Sequence, residues 1–342
     1  MSASLIHALI EELRVAGFPV ETSRPLANST TYAVGGAAAA AVTISDPDDV
    51  RALAAITARY PQVPLAIVGR GSNTLIADSG YAGLVVVVTA PANAAIIELH
   101  GEDVVAMGSV TMPVLARRSA KAGRGGLEWC VGIPGSVGGA VRMNAGGHGA
   151  EIIDALQSAD IVSLRSGNSE TVNADALGLH FRGSAIASHH VVVSARLRTV
   201  SCDAAQAQKE IDAVVAWRRE HQPGGRNAGS VFVNPAPGDG SAGALIDACG
   251  LRGFSVGAAS VSEKHANFIQ ATDGATAADI LAVMSQVQET VHAQHGILLR
   301  SEVCLLGFDE GIAQQFADPR HHDADRVAAA HRLSMLMGDA RE

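Results

Sequence analysis

The chain has 342 residues, 48% of them hydrophobic and 17% charged, enough to bury more than one hydrophobic core, so two or three domains are expected. A formal net charge of -9 without any run of Lys or Arg excludes the footprint of a nucleic-acid or anionic-membrane partner. Cys130, Cys202, Cys249 and Cys304 stand far apart, with no CxxC and no His at ligand spacing, which predicts buried reduced thiols, no metal site and a reducing compartment.

The N-terminal stretch "MSASLIHALIEELRVAGF" has apolar residues at helical spacing interrupted by Glu11, Glu12 and Arg14; it reads as a surface helix and not as a signal peptide. No apolar run approaches the roughly 20 residues that span a bilayer, and a cytoplasmic location follows. In "SDPDDVRALAAITARY", Ser45 or Asp46 offers an N-cap, Pro47 a first turn, and further acids suit the helix dipole. The runs "PLAIV" and "GLVVVV" predict strands buried on both faces. Short strands at 95–99 and 104–107 precede a helix at 112–122 that ends at Gly123. "ALQSADIVSL" and "TVNADA" flank the hairpin signal "RSGNSE", and "HHVVVSARLRTV" alternates as a half-buried strand.

At "SCDAAQAQKEIDAVVAWRRE" the pattern changes to a helix of about twenty residues, placing a domain boundary near residue 200. A final amphipathic helix runs from Thr276 to about His295 and stops at Gly296. The apolar strand "ILLRSEVCLLG" follows. Beyond Phe308 the chain is rich in Ala, His, Asp and Arg and suits a terminal helix or a frayed tail, with His321 and His322 read as solvated surface residues.

Two segments carry the chemistry. "GRGSN", from Gly69 through Arg70, Gly71 and Ser72 to Asn73, follows a strand where small residues can aim successive N–H groups at an anion, although a plain tight turn would look the same. "GIPGSVGGAVRMNAGGHG", residues 132–149, holds seven glycines in eighteen positions, where ordinary composition supplies about one. Ile133, Val137, Val141 and Met143 interleave with them and would anchor the segment in a core. Neither segment is GxGxxG or GxxxxGK[ST], so nicotinamide-fold and P-loop readings do not apply. Together they suit a long, flat, phosphate-bearing ligand, a dinucleotide such as FAD.

"GRGSN", "GLEWCVGIPGSVGGAVRMNAGG", "FRGS", "NAGSVFVNP", "VSEKHANFI" and "RSEV", in that order, resemble the UDP-N-acetylenolpyruvoylglucosamine reductase family over residues 22–306, in its subgroup without the Tyr loop. The resemblance implies an α+β fold: a two-lobed FAD-binding module of the vanillyl-alcohol-oxidase (PCMH) type, followed by an α+β substrate-binding domain. Residues 1–90 and 91–203 would be the two lobes, 204–306 the substrate domain and 307–342 a C-terminal extension. Non-covalent FAD, NADPH as co-substrate, and a UDP-sugar enolpyruvyl ether reduced to UDP-N-acetylmuramate are implied, with a monomer as the expected state.

By the same resemblance FAD would lie along Gly69–Asn73 and along Gly132, Ile133, Pro134, Gly135, Ser136, Gly138, Gly139, Asn144, Ala145 and Gly146. Arg182 would hold the substrate carboxylate, Ser230 would give a proton to the substrate carbon, and Glu302 would act as a hydrogen-bonding acid. In so apolar a stretch Glu302 must either face a cleft or have a raised pKa. His221, Asn234, Lys264 and Asn267 would line the sugar-nucleotide side. Phe181, Val233 and Ala37 depart from the family pattern, removing a hydroxyl, a positive charge and a proline respectively. An FAD-linked oxidase and a flavin-binding paralogue without turnover remain open as alternatives.

Overall fold

The computed structural model describes residues 3–91, 97–236, 238–317 and 323–339. Helix α1 (Ala3–Val15) turns Ile6, Leu9, Ile10 and Leu13 into a core. Strands β1 (Val20–Pro25) and β2 (Ala37–Ile44) pair antiparallel. Helix α2 (Pro47–Thr57) starts where the Asp46 carboxylate accepts from Asp48 N at 2.8 Å. It provides the crossover that a parallel pair requires. Strands β3 (Leu65–Val68), β4 (Thr74–Ile76) and β5 (Tyr81–Val88) follow, and the sheet order is β1-β2-β5-β3. The β5 run is buried on both faces, Leu84 and Val86 toward the helices, Val85 and Val87 toward Leu26 and Ile76.

The second unit is built on β6 (Ile97–His100), β7 (Asp103–Met107), α3 (Met112–Lys121), α4 (Val137–Arg142), β8 (Leu156–Ser163), β9 (Ser169–Asn173) and β10 (His190–Arg198). Its antiparallel sheet has the order β9-β8-β10-β7-β6. The expected strand at 95–99 begins outside the described residues, which take it up at Ile97. Val162, Leu164 and Val191 pack with α1 and α2, so an apolar layer joins the two units. Helix α5 (Ala204–His221), expected to open the third domain, instead buries Ala207 and Ile211 in the second core beside Leu127 and Trp129.

The third core holds α6 (Ala242–Ala248), β11 (Ser255–Val256), β12 (Ala259–Val261), β13 (Ile269–Ala271) and α7 (Ala277–His295). Thr276 and Asp279 cap α7 reciprocally, and Gly296, at φ 69°, ends it. The Asp78 carboxylate, from the first unit, accepts from Ala277 N and Ala278 N at 2.9 Å each. The strand expected over 297–307 is shorter: only β14 (Cys304–Leu306) forms, and it pairs in parallel with β4 of the first unit as a separate two-stranded sheet.

The C-terminal extension folds onto the body. Helix α8 (Glu310–Phe316) puts Phe316 in the third core, and α9 (Ala324–Leu336) leads Leu333 and Met337 into the second. Beyond it, Asp339 accepts from His190 Nε2 at 2.7 Å and lies 3.2 Å from His189 Nε2. Ala187 N donates to His190 Nδ1, leaving the ring proton on Nε2 for Asp339. His321 and His322 lie outside the described residues. All four cysteines are unpaired: Cys130 is buried as expected, but Cys304 is exposed. Among the described residues no helix is long and apolar enough to cross a membrane.

Candidate active site

The two glycine-rich segments face one another. A Cβ on Gly69 would stand 2.7 Å from Ser136 Oγ, and one on Gly135 would stand 3.4 Å from Ser72 Oγ. Both segments line an open cleft of about 1250 Å³, including the solvent at its mouth. None of the five amides from Gly69 to Asn73 donates to a backbone carbonyl, and buried or half-buried N–H groups require acceptors. The cleft wall adds Arg70, Arg142 and Arg218. Burial lowers the pKa of Arg218, and it makes no ion pair among the described residues; it donates instead to Gly132 O and to Gln222. Unbonded amides and unpaired guanidiniums on one wall fit the pyrophosphate of a dinucleotide.

Not every predicted cofactor residue lines this cleft. The glycine-rich segment is not loop throughout, because Ser136 caps α4 within it. Gly138 lies on that helix, where a Cβ would come within 3.1 Å of Val192 O; its bareness serves helix-to-sheet packing. Asn144, at φ 40° and 1% exposed, is a brace. Its amide donates to Glu151 and to His180 O, while its oxygen accepts from Ile153 N. Asn73 does line the cleft, but its side chain donates to Glu302 O at 2.9 Å.

Arg182 stands at the tip of a two-residue turn closed by His180 and Gly183. Its φ of 58° is a left-handed backbone that costs a non-glycine residue about 1 kcal/mol or more. The turn holds the guanidinium 4.7 Å from the Phe181 ring and aims it into the cleft. There Nε lies 3.1 Å from Glu302 Oε1, Nη1 donates to Glu151 Oε1 at 3.1 Å, and Nη2 donates to Gly146 O at 3.2 Å. Two of the five N–H donors are hydrogen-bonded and Nε sits in the ion pair with Glu302, so one N–H on each terminal nitrogen remains for a ligand.

Glu302 meets both branches of its sequence expectation: it lines the cleft and its pKa is raised from 4.5 to about 7. Burial is the main cause, offset in part by Arg182 and reinforced by Glu151. Its backbone is fixed from two sides, its N–H on Val231 O at 2.8 Å and its C=O under Asn73. Ser230 lines the same cleft, next to Gly229, whose φ of 76° turns the chain after Asn227.

The four residues expected on the sugar-nucleotide side do not line the cleft. Asn267, 4% exposed, clamps Phe232 through its N–H and C=O. Asn234 accepts from Ala242 N at the start of α6, and Lys264 donates to Arg219 O at the end of α5. His221 stacks on Trp217 with centroids 4.6 Å apart. Arg142, Arg218, Gln222, Asn227 and Glu151 were missed by the sequence reading. Arg142 had a signal, as a lone charge within the glycine-rich segment; Arg218 looked like any other charge of an exposed helix.

Comparison with known proteins agrees with this geometry. Residues 221–306 match the family profile described as UDP-N-acetylenolpyruvoylglucosamine reductase, C-terminal domain, and residues 38–173 match that of an FAD binding domain. A UDP-N-acetylenolpyruvoylglucosamine reductase of Gloeobacter violaceus is 44% identical over 253 residues, covering 73% of this chain and 84% of the relative. One of Bacillus subtilis is 35% identical over 291 residues, covering 84% and 94%. The crystal structure of the reductase (MurB) from Thermus caldophilus superposes with a TM-score of 0.72 at 30% identity, covering 84% of this chain and 99% of that one. The fold is the two-lobed FAD-binding module with an α+β third domain, and the chain belongs to the UDP-N-acetylenolpyruvoylglucosamine reductase family.

Proposed function

We propose that this chain reduces UDP-N-acetylglucosamine enolpyruvate to UDP-N-acetylmuramate in the cytoplasm, with FAD as bound cofactor and NADPH as co-substrate. When bound, FAD supplies the two-electron carrier that NADPH reloads. The reduction adds hydride to the terminal carbon of the enolpyruvyl ether and a proton to the neighbouring carbon, with negative charge on that carbon and its carboxylate in between. The chain's residues manage that charge and that proton. The two unengaged N–H groups of Arg182 fork onto the substrate carboxylate. Glu302, whose carboxyl pKa burial raises to about 7, donates a hydrogen bond in its protonated form to the same developing charge. The Ser230 hydroxyl delivers the proton to carbon.

Residues 1–90 and 91–203, joined by α5, would carry FAD, and the third domain would bring Ser230 and the sugar-nucleotide contacts. His221, Asn234 and Lys264 would act from outside the cleft wall. The Arg182 to Glu302 contact, set in one cleft with Ser230 and both glycine-rich segments, is the observation that supports this reading. The test follows NADPH absorbance with FAD-loaded protein, with and without the enolpyruvyl ether. Substrate-dependent oxidation is expected, and NADPH oxidation that depends on oxygen alone would overturn the reading in favour of an oxidase.

A further inference from the structure

The carboxylate of Glu151 joins the site to the glycine-rich segment. One oxygen accepts from Arg182 Nη1 at 3.1 Å and the other from Asn144 at 2.9 Å. Its backbone N–H donates to Asp154 at 2.7 Å, so the residue is held at both ends. A Cβ on Gly146 would lie 2.6 Å from Glu151 Cγ, so a bare glycine there is what lets the Glu151 side chain pack against the glycine-rich segment. Asn144 in turn is braced by His180 O, the residue that closes the Arg182 turn. The chain Asn144, Glu151, Arg182, Glu302 is therefore contiguous from the glycine-rich segment to the acid.

We infer that Glu151 is a positioning residue of the reaction, orienting the Arg182 guanidinium toward the cleft and dividing its charge between two carboxylates, Glu151 and Glu302. This rests on the function proposed above. The partition follows from geometry: a guanidinium shared between two acids stabilises the ionised form of each less than it would one alone. The charged groups facing Glu302 are Arg182 on its turn and Glu151 at the start of the segment after residue 150. Asp154 faces Glu151 alone, and Arg70, Arg142 and Arg218 stand elsewhere on the cleft wall. The side chains of Arg182 and Glu151 are 19% and 28% exposed, shielded enough from solvent for such coupling to persist.

The experiment is Glu151→Gln in FAD-loaded protein, with the rate of flavin reoxidation by the enolpyruvyl ether measured from pH 5 to 9. The Gln amide keeps bulk and hydrogen bonding but removes the charge, so Arg182 turns wholly to Glu302 and favours its ionised form. The pH at which the rate is half lost is expected to fall by about half a unit to one unit, with a rate about three- to tenfold lower at pH 8. Bleaching of the flavin by NADPH in the same sample reports a loaded cofactor site. The dependence of unfolding stability on pH between 5 and 8 should flatten in parallel, a readout independent of turnover. A lowered rate with an unmoved midpoint and unchanged stability slope would overturn the inference. Absence of any substrate-dependent reoxidation in the unmutated protein would instead overturn the proposed function. If Glu151→Gln loses FAD, Glu151→Asp takes its place: it keeps the charge but not the reach to Arg182, so the rate should fall at all pH values, and an unchanged rate would overturn the positioning role.

Discussion

Glu302→Gln should stabilise the folded protein, and only at the alkaline end. The carboxyl has a pKa of 4.5 in an ordinary setting and about 7 in the fold. Between those values the folded protein holds a proton that the unfolded chain has released, so stability falls as pH rises through that window and stays low above it. At about 1.4 kcal/mol for each tenfold in proton affinity, the rise corresponds to about 3 kcal/mol at pH 8. The side chain is 20% exposed, which lowers the realised figure to about 1–2 kcal/mol. Gln occupies the same volume without a charge, so it recovers this deficit at pH 8 and nothing near pH 4.5. Urea unfolding of the FAD-loaded protein, followed by far-UV circular dichroism at pH 5, 6.5 and 8, measures the difference. An equal gain at all three values, or a loss that grows with pH, would refute the assignment of a raised pKa to Glu302.

Ser230→Ala should leave flavin reduction by NADPH intact while slowing reoxidation by the enol ether by about 100-fold or more; loss of the first half-reaction instead would remove Ser230 from the role of proton donor. Asn267→Ala removes both bonds to the Phe232 backbone and leaves buried groups unsatisfied, so a loss of about 2–4 kcal/mol is expected in urea unfolding. An unchanged stability with a raised KM for the sugar nucleotide would make it a substrate contact after all. Asp339→Ala should destabilise by about 2–3 kcal/mol at pH 7 by removing the acceptor of His190. Its partners hold the Asp339 carboxyl well below the usual range, so that contribution is present above about pH 4 and lost in stronger acid. Equal stabilities of the variant and the parent at pH 7 would refute the tie.

Local signals explain most of what the sequence made legible. Asp46 and Pro47 start α2, Gly123 and Gly296 end helices, and "RSGNSE" turns β8 into β9, all within a few residues of the cause. Arg182, Ser230 and Glu302 were legible through their motifs, and the structure brings all three to one cleft. What could not be read were contacts between distant segments. The parallel pairing of Cys304–Leu306 with Thr74–Ile76 cuts short a strand that composition alone would extend over the whole apolar run. Packing of α5 on the second core depends on Ala207 and Ile211, too sparse a stripe to show which core it would join. The site of Asp339, about 150 positions from its histidines, has no sequence signal at all.

The return of the chain at β14 to pair with β4 of the first unit makes the third domain an insertion and not an appendage. Its exit strand is also the neighbour of the Gly69–Asn73 segment, through Cys304 N on Asn73 O. Such a domain cannot be exchanged as a cassette: a chimaera joined near residue 220 and ending before residue 302 would lose Glu302 and a flank of the Gly69–Asn73 loop together. Both ends of the insertion are anchored to the first two units, so sequence exchange that leaves those units intact is confined to loops inside it.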